Sequence, residues 1–114
     1  MTLMIISKFS MKDKIPKLKE LLEMESFRSR TEMYIGEKKI SILKSFFDGI
    51  YYSLEAYELK EENIFEGFDN WVANYYGWNE STAGWKNIIL KESENNETKS
   101  VDEFFRIYDK FKSE

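Results

Sequence analysis

Apolar residues recur at intervals of three and four along most of the chain, which is the pattern of amphipathic helices. Proline occurs once and glycine five times, so few residues interrupt that pattern. Two short stretches, residues 1–9 and 32–35, carry a weak strand signal, but no clear hairpin turn accompanies either. The sequence therefore predicts an all-α fold, a compact bundle of four to five helices forming a single domain over residues 1–114. A short extended segment is expected at the N-terminus or over residues 33–36.

Capping residues and the onset of each apolar stripe predict where the helices begin. The predicted starts are a cap within residues 10–13, an apolar stripe from about Ile40 to Leu59, Asn63 with Glu66, a start near Ala83, and the capping box of residues 100–103. Gly36 is a predicted turn with positive φ, and Gly77 is a predicted helix stop. Within the second helix, Tyr57 completes the apolar stripe, and Gly49 predicts the close approach of a neighbouring helix.

Cysteine and histidine are both absent from the sequence. Disulfides, Cys- or His-ligated zinc or haem, and nucleophiles paired with histidine are therefore excluded. We expect no cofactor, no metal and no catalytic residue, and so a protein that is not an enzyme. The short apolar run of residues 1–6 is far below the length of a membrane span and lacks the features of a signal peptide. We therefore expect a cytoplasmic protein with no membrane partner.

Charge is distributed unevenly along the chain, which is 33% charged with a net charge of −4. Residues 1–39 contain nine Lys/Arg and six Asp/Glu, a balance of +3, whereas residues 40–114 contain eight and fifteen, a balance of −7. The acidic part disfavours direct binding of nucleic acid, because phosphates require a basic surface. It favours a cationic partner, although a mildly acidic surface also serves solubility alone.

Five carboxylates in the acidic part follow spacings of three and four: Glu55, Glu58, Glu62, Glu66 and Asp69. On a continuous helix they would share one face, although the break before Asn63 interrupts strict continuity. Three interpretations stay open for them: a solvated face, a metal or acid–base site, and a docking surface for a basic partner. A metal or acid–base site needs a pocket, which nothing in the sequence indicates, so we favour docking over catalysis.

Three tryptophans lie seven residues apart. Trp71 and Trp85 are expected in the core, whereas Trp78 follows Gly77 in a loop. Trp78 is the best candidate for a partly exposed anchor, because exposed aromatic residues are enriched at binding hot spots. An alternative places Trp78 over the core as a lid, and Tyr51 and Tyr52 are ambiguous in the same way. We predict a partner-binding site that comprises the five carboxylates and Trp78.

Five blocks of sequence occur in a characteristic order: RTEMYIGEKKISIL (30–43), FDGIY (47–51), FEGFDNWV (65–72), GWKNIIL (84–90) and FFRIYDKF (104–111). This order resembles small bacterial immunity proteins encoded beside polymorphic toxins, including contact-dependent growth inhibition systems. Relatives in that group have Arg-Pro before Met-Tyr-Ile-Gly where this chain has Thr31 and Glu32, which leaves the conformation of that connection open.

The resemblance implies a protein that binds and neutralises the C-terminal domain of a cognate toxin, with no catalytic residues of its own. A toxin that cuts nucleic acid presents basic groups to phosphates, so an acidic, aromatic-rich inhibitor complements it. We therefore expect a basic nuclease as partner and inhibition by steric and electrostatic blocking. The alternative is a structural or regulatory helical module that self-associates through aromatic faces, and a homodimer is compatible with either function.

Overall fold

The computed structural model describes residues 17–57 and 63–114, and these residues fold into helices joined by turns. The described ranges contain seven helices: α1 Leu18–Glu23, α2 Glu25–Ser29, α3 Thr31–Ile35, α4 Ile40–Ala56, α5 Phe68–Tyr76, α6 Trp85–Glu92 and α7 Glu97–Lys112. The predicted all-α class is confirmed, and the described part of the chain contains no strand. Within these ranges no helix combines the length and apolar character that a membrane crossing requires.

Aromatic rings form the centre of the core. Phe104 of α7 is fully buried, and its ring centroid lies 4.8 Å from Trp85 of α6, 5.6 Å from Phe47 of α4 and 6.0 Å from Phe68 of α5. Such ring pairs contribute roughly 0.5–1.5 kcal/mol each beyond the apolar area that they bury. Four helices therefore pack around one phenylalanine, which holds α4, α5, α6 and α7 in fixed relative positions.

The region before α4 consists of three short helices, which raises the number of helices above the predicted four to five. Met24 leaves helical geometry between α1 and α2, with φ −75° and ψ 123°, and Arg30 does so between α2 and α3. Phe27, Thr31 and Tyr34 are buried at helical spacings of four and three, so they share the inward face.

The predicted extended segment at residues 33–36, and the short strand over residues 32–35, are therefore wrong. The chain stays helical through Ile35 because Tyr34 is buried with its ring centroid 5.2 Å from that of Phe27. Only Gly36 departs, with φ 99°, which confirms the predicted turn with positive φ. The other predicted extended segment, residues 1–9, and the first predicted cap lie outside the described residues.

Helix α4 begins at Ile40 as predicted and ends at Ala56, three residues before the predicted Leu59. Two predictions about this helix are wrong. Tyr57 is 77% exposed rather than part of the buried stripe, because it follows the last helical residue and lies beyond the buried part of α4. Gly49 meets no neighbour, since a Cβ built at this position has nothing within 4 Å. The glycine therefore does not mark a close helix contact.

The starts of α5 and α7 also differ from prediction. The Oδ1 atom of Asn63 accepts the Phe65 N–H at 3.1 Å and closes a turn, while α5 begins only at Phe68 after Gly67. The predicted stop at Gly77 is confirmed by its φ of 76°. The predicted capping box of residues 100–103 would start α7 at Val101, but the helix begins four residues earlier, at Glu97. The Asn96 side chain accepts the Lys99 N–H at 2.9 Å and caps the helix there.

The two predicted capping boxes are therefore wrong. Ser100 does not cap α7: it is buried inside the helix, where its Oγ donates to the Asn96 carbonyl at 2.6 Å. The polar segment before α7 is a tight turn in which Glu94 and Asn95 have φ near 60° and the Asn95 N–H donates to the Leu90 carbonyl at 2.8 Å.

Candidate binding surface

The C-terminal part of α4 presents two large aromatic rings to solvent. Tyr52 is 76% exposed and Tyr57 is 77% exposed, and the exposed residue Glu55 lies between them in sequence. Tyr52 is five residues after Phe47, which is buried, and this spacing turns it away from the core face of the helix. We call Tyr52, Glu55 and Tyr57 the α4 end surface.

The turn before α5 lies beside this surface. The Tyr51 hydroxyl accepts the Ile64 N–H at 3.2 Å, and its ring centroid is 6.4 Å from that of Phe65. Glu55 is one helical turn after Tyr51, so it lies on the side of α4 that faces the turn carrying Glu66. Tyr51 is thereby half-buried and structural, while Tyr52 is exposed, which resolves an ambiguity that the sequence left open.

Two of the five predicted carboxylates, Glu58 and Glu62, lie outside the described residues. Glu55 and Glu66 are both exposed. Among the residues that the structure describes, no lysine or arginine forms an ion pair with either of them. The negative charge of these two carboxylates is therefore not neutralised by a neighbouring cation from the described chain.

Asp69 is placed differently from Glu55 and Glu66. It lies in the first turn of α5, and its Oδ1 accepts the Trp85 N–H at 2.7 Å. Trp85 is the first residue of α6, and the preceding Gly84 has no side chain with which to cap that helix. Asp69 therefore caps α6 from another helix, so one of its carboxylate oxygens is occupied within the fold.

Trp78 is half-buried directly after the Gly77 stop and packs against the core cluster. Its backbone N–H donates to the Ala73 carbonyl at 2.8 Å, and its indole Nε1–H donates to Glu92 Oε2 at 2.9 Å. The side chain thus connects the end of α5 to the end of α6. This arrangement favours the lid over the exposed anchor, since both N–H donors of the residue are engaged within the chain.

The remaining tryptophans agree only in part with prediction. Trp85 is buried as expected, whereas Trp71 is half-buried at the surface. The Trp71 ring stacks on Tyr75, with centroids 5.3 Å apart and an interplanar angle of 11°, and its Nε1–H donates to Glu114 Oε2 at 3.1 Å. This is a second aromatic surface, formed by α5 and the C-terminal end of the chain.

The charged side chains beside the second aromatic surface pair with each other. Arg106 donates to both carboxylate oxygens of Glu103 at 2.6 and 2.8 Å, and its guanidinium lies 5.8 Å from the Tyr75 ring centroid. The Tyr76 hydroxyl donates to Glu103 at 2.5 Å. Burial and then this hydrogen bond raise the pKa of Tyr76, and the bond from Arg106 lowers the pKa of Glu103. This network ties α5 to α7.

A groove of about 650 Å³ lies between α4 and the start of α6. Its charged lining consists of two lysines and two aspartates: Lys44, Asp48, Asp69 and Lys86. Lys44 pairs with Asp48 at 2.7 Å, and Asp69 caps α6, so the groove has no excess charge and few free polar groups. Within the described ranges, no group of three or more acidic side chains is placed to hold a metal ion.

The α4 end surface combines two exposed aromatic rings with one carboxylate that pairs with no cation of the described chain. The sequence pattern places Tyr57 on the apolar stripe and leaves Tyr52 ambiguous, although the five-residue step from Phe47 to Tyr52 indicates a position off the buried stripe. Chemically, such a surface can bind a cationic protein partner. No protein family, curated protein or solved structure matches this chain.

Proposed function

We propose that this protein is an immunity protein that binds the C-terminal domain of a bacterial toxin, a basic nuclease, and neutralises it by steric and electrostatic blocking. The observation that carries the proposal is the α4 end surface, where two tyrosines more than three-quarters exposed accompany a carboxylate without a described partner. Exposed tyrosines of this kind are typical of binding hot spots, and carboxylates complement the basic groups of a nuclease. The order of the sequence blocks supports the same class.

The packing behind this surface favours tight binding. Phe47 of α4 lies with its ring centroid 5.6 Å from Phe104 and 5.4 Å from Phe65, so α4 is held against the core. The Tyr51 hydroxyl joins α4 to the turn that precedes α5. A helix that is already ordered loses little conformational entropy when a partner binds to it. Its exposed rings then act as preorganised anchors.

Co-expression with the C-terminal domain encoded by the adjacent upstream reading frame tests the proposal. We expect growth to be rescued and the two proteins to co-purify. The variant Tyr52→Ala/Tyr57→Ala should weaken both, whereas Met33→Ala, which removes an exposed apolar side chain from α3, should leave both unchanged. Absence of rescue and of co-purification by the wild-type protein would refute the proposed function.

The alternative function, a self-associating structural or regulatory module, uses the same exposed tyrosines, because two copies can pair through them. Light scattering separates the two functions. A dimer that dissociates in Tyr52→Ala/Tyr57→Ala, together with failure to neutralise the toxin domain, would replace the proposal with self-association. Neutralisation by a monomer would exclude the alternative.

A further inference from the structure

Two of the three arginines in the chain are bound in the same way within the fold. Arg28 donates to both carboxylate oxygens of Asp109 at 2.7 Å, and its guanidinium carbon lies 5.1 Å from the ring centroid of Phe105. Arg106 donates to both oxygens of Glu103 and lies over the Tyr75 ring. Each guanidinium thus contacts one aromatic face and one carboxylate, the combination that suits its planar, forked shape.

The receptor for Arg28 is formed by one helix face. Phe105 and Asp109 are four residues apart on α7, so their side chains lie next to each other. Tyr52 and Glu55 are three residues apart on α4, which places an aromatic ring beside a carboxylate in the same manner. No arginine of the described chain contacts this second pair, and both side chains face solvent.

The electrostatic setting of Tyr52 and Glu55 is also that of a cation site. They lie near the C-terminal end of α4, where the helix dipole is negative, and the last turn of α4 contains no basic residue. Glu55 belongs to the acidic part of the sequence, since residues 40–114 carry a net charge of −7. A positive group from outside the described chain would complement both the C-terminal end of α4 and the Glu55 carboxylate.

We propose that Tyr52 and Glu55 bind the guanidinium group of an arginine on the toxin domain, in the way that Phe105 and Asp109 bind Arg28. This inference rests on the proposed function. Arginine is the group that commonly contacts substrate phosphates in two-point fashion, so an inhibitor that holds it withdraws it from the substrate. Lysine fits this pair less well, because an ammonium group lacks the planar face and the fork.

A direct test uses hexa-arginine and hexa-lysine peptides as probes, because the two carry equal charge and differ in the shape of the cation. Binding is measured by titration at low ionic strength, where screening is weak. We expect the wild-type chain to prefer hexa-arginine by about two- to fivefold, the range of an exposed cation–π contact. Tyr52→Leu should abolish the preference and Tyr52→Phe should retain it, since phenylalanine keeps the ring.

Matched variants control for net charge and for loss of any tyrosine. Tyr57→Leu should keep the preference, because Tyr57 lies about 140° from Tyr52 around the helix axis. Glu55→Gln should reduce hexa-arginine binding more than Glu66→Gln, which removes the same charge from the neighbouring turn. An arginine preference that is unchanged in Tyr52→Leu, or absent from the wild type, would overturn the inference.

The toxin assay separates this inference from the proposed function. If the wild type neutralises the toxin domain and Tyr52→Leu neutralises it equally well, the arginine site is refuted while the proposed function stands. If the wild type does not neutralise the toxin domain but shows an arginine preference that depends on Tyr52, the proposed function is refuted while Tyr52 and Glu55 remain an arginine-binding pair.

Discussion

Replacement of Gly49 by alanine should stabilise the protein, although glycine inside a helix is often kept for packing. Gly49 lies within α4, is exposed, and lacks the positive φ angle that characterises the four other glycines. A Cβ at this position meets nothing within 4 Å, so the alanine methyl group causes no clash. What remains is the difference in backbone entropy and helix propensity between the two residues.

The magnitude follows from that difference. Alanine in a helix interior is more favourable than glycine by about 0.5–1 kcal/mol, mainly because the unfolded chain has fewer conformations to lose. For a domain of this size, that range corresponds to a rise in Tm of roughly 2–4 °C. The gain should appear as a higher urea midpoint with an unchanged m-value, because the surface exposed on unfolding stays the same.

Urea titrations followed by tryptophan fluorescence and by circular dichroism measure the change. Gly67→Ala is the matched control, because Gly67 has φ 79° and lies equally free of neighbours. There the same methyl group should destabilise by about 1–2 kcal/mol, the penalty of left-handed backbone for a residue with a Cβ. A loss of stability in Gly49→Ala would contradict the reasoning, since it would show that Gly49 has a close neighbour.

Three further predictions concern individual polar side chains. Tyr108→Phe should be at least as stable as the wild type, because the buried Tyr108 hydroxyl has no hydrogen-bond partner within the described chain. Burial raises the pKa of Tyr108 to about 12, so the free energy of unfolding of the wild type should fall between pH 10 and pH 12. Urea titrations at both pH values should show a smaller fall in the variant. Asp69→Ala should lower the free energy of unfolding by about 1–2 kcal/mol through loss of the α6 cap, and Asp69→Asn should lower it by less. If Asp69→Ala destabilises the protein no more than Glu66→Ala does, that result would argue against the cap. Hydrogen bonding from Ser41 lowers the pKa of Glu97, so the ionised carboxylate contributes stability at pH values above its ordinary pKa. This stability is lost as the pH falls, and Glu97→Gln should therefore lose less stability than the wild type in an acid titration. Identical acid curves for the two proteins would refute the contribution.

The helical class could be predicted from the sequence because its evidence is local. In α7 the spacing of Val101, Phe104, Phe105 and Tyr108 defines one face of a helix, and all four side chains are buried. The same periodicity was less informative at the end of α4. Tyr57 continues the stripe in sequence, but the core that the stripe faces has already ended there. A spacing pattern indicates which way a side chain points, but it does not show how far along the helix the core extends.

The candidate site was predicted only in part for the same reason. Glu55, Glu66 and Asp69 share a spacing, yet Asp69 accepts a backbone N–H from α6 while no described cation pairs with Glu55 or Glu66. The difference arises from α6, which begins sixteen residues after Asp69. Nothing in the immediate neighbourhood of Asp69 in the sequence distinguishes it from the other two carboxylates.

Capping between helices is a contact that the sequence around a helix start does not show. Helices α4, α5 and α6 have no side-chain cap at their own N-cap residues. Glu97 of α7 instead accepts the Ser41 N–H and hydroxyl at the start of α4, at 2.9 and 2.8 Å, as Asp69 of α5 does for α6. These two carboxylates serve as tertiary contacts, since each fixes the position of one helix end against another helix. The described acidic residues therefore divide into those whose carboxylates contact another helix and those, such as Glu55, that pair with no cation of the described chain.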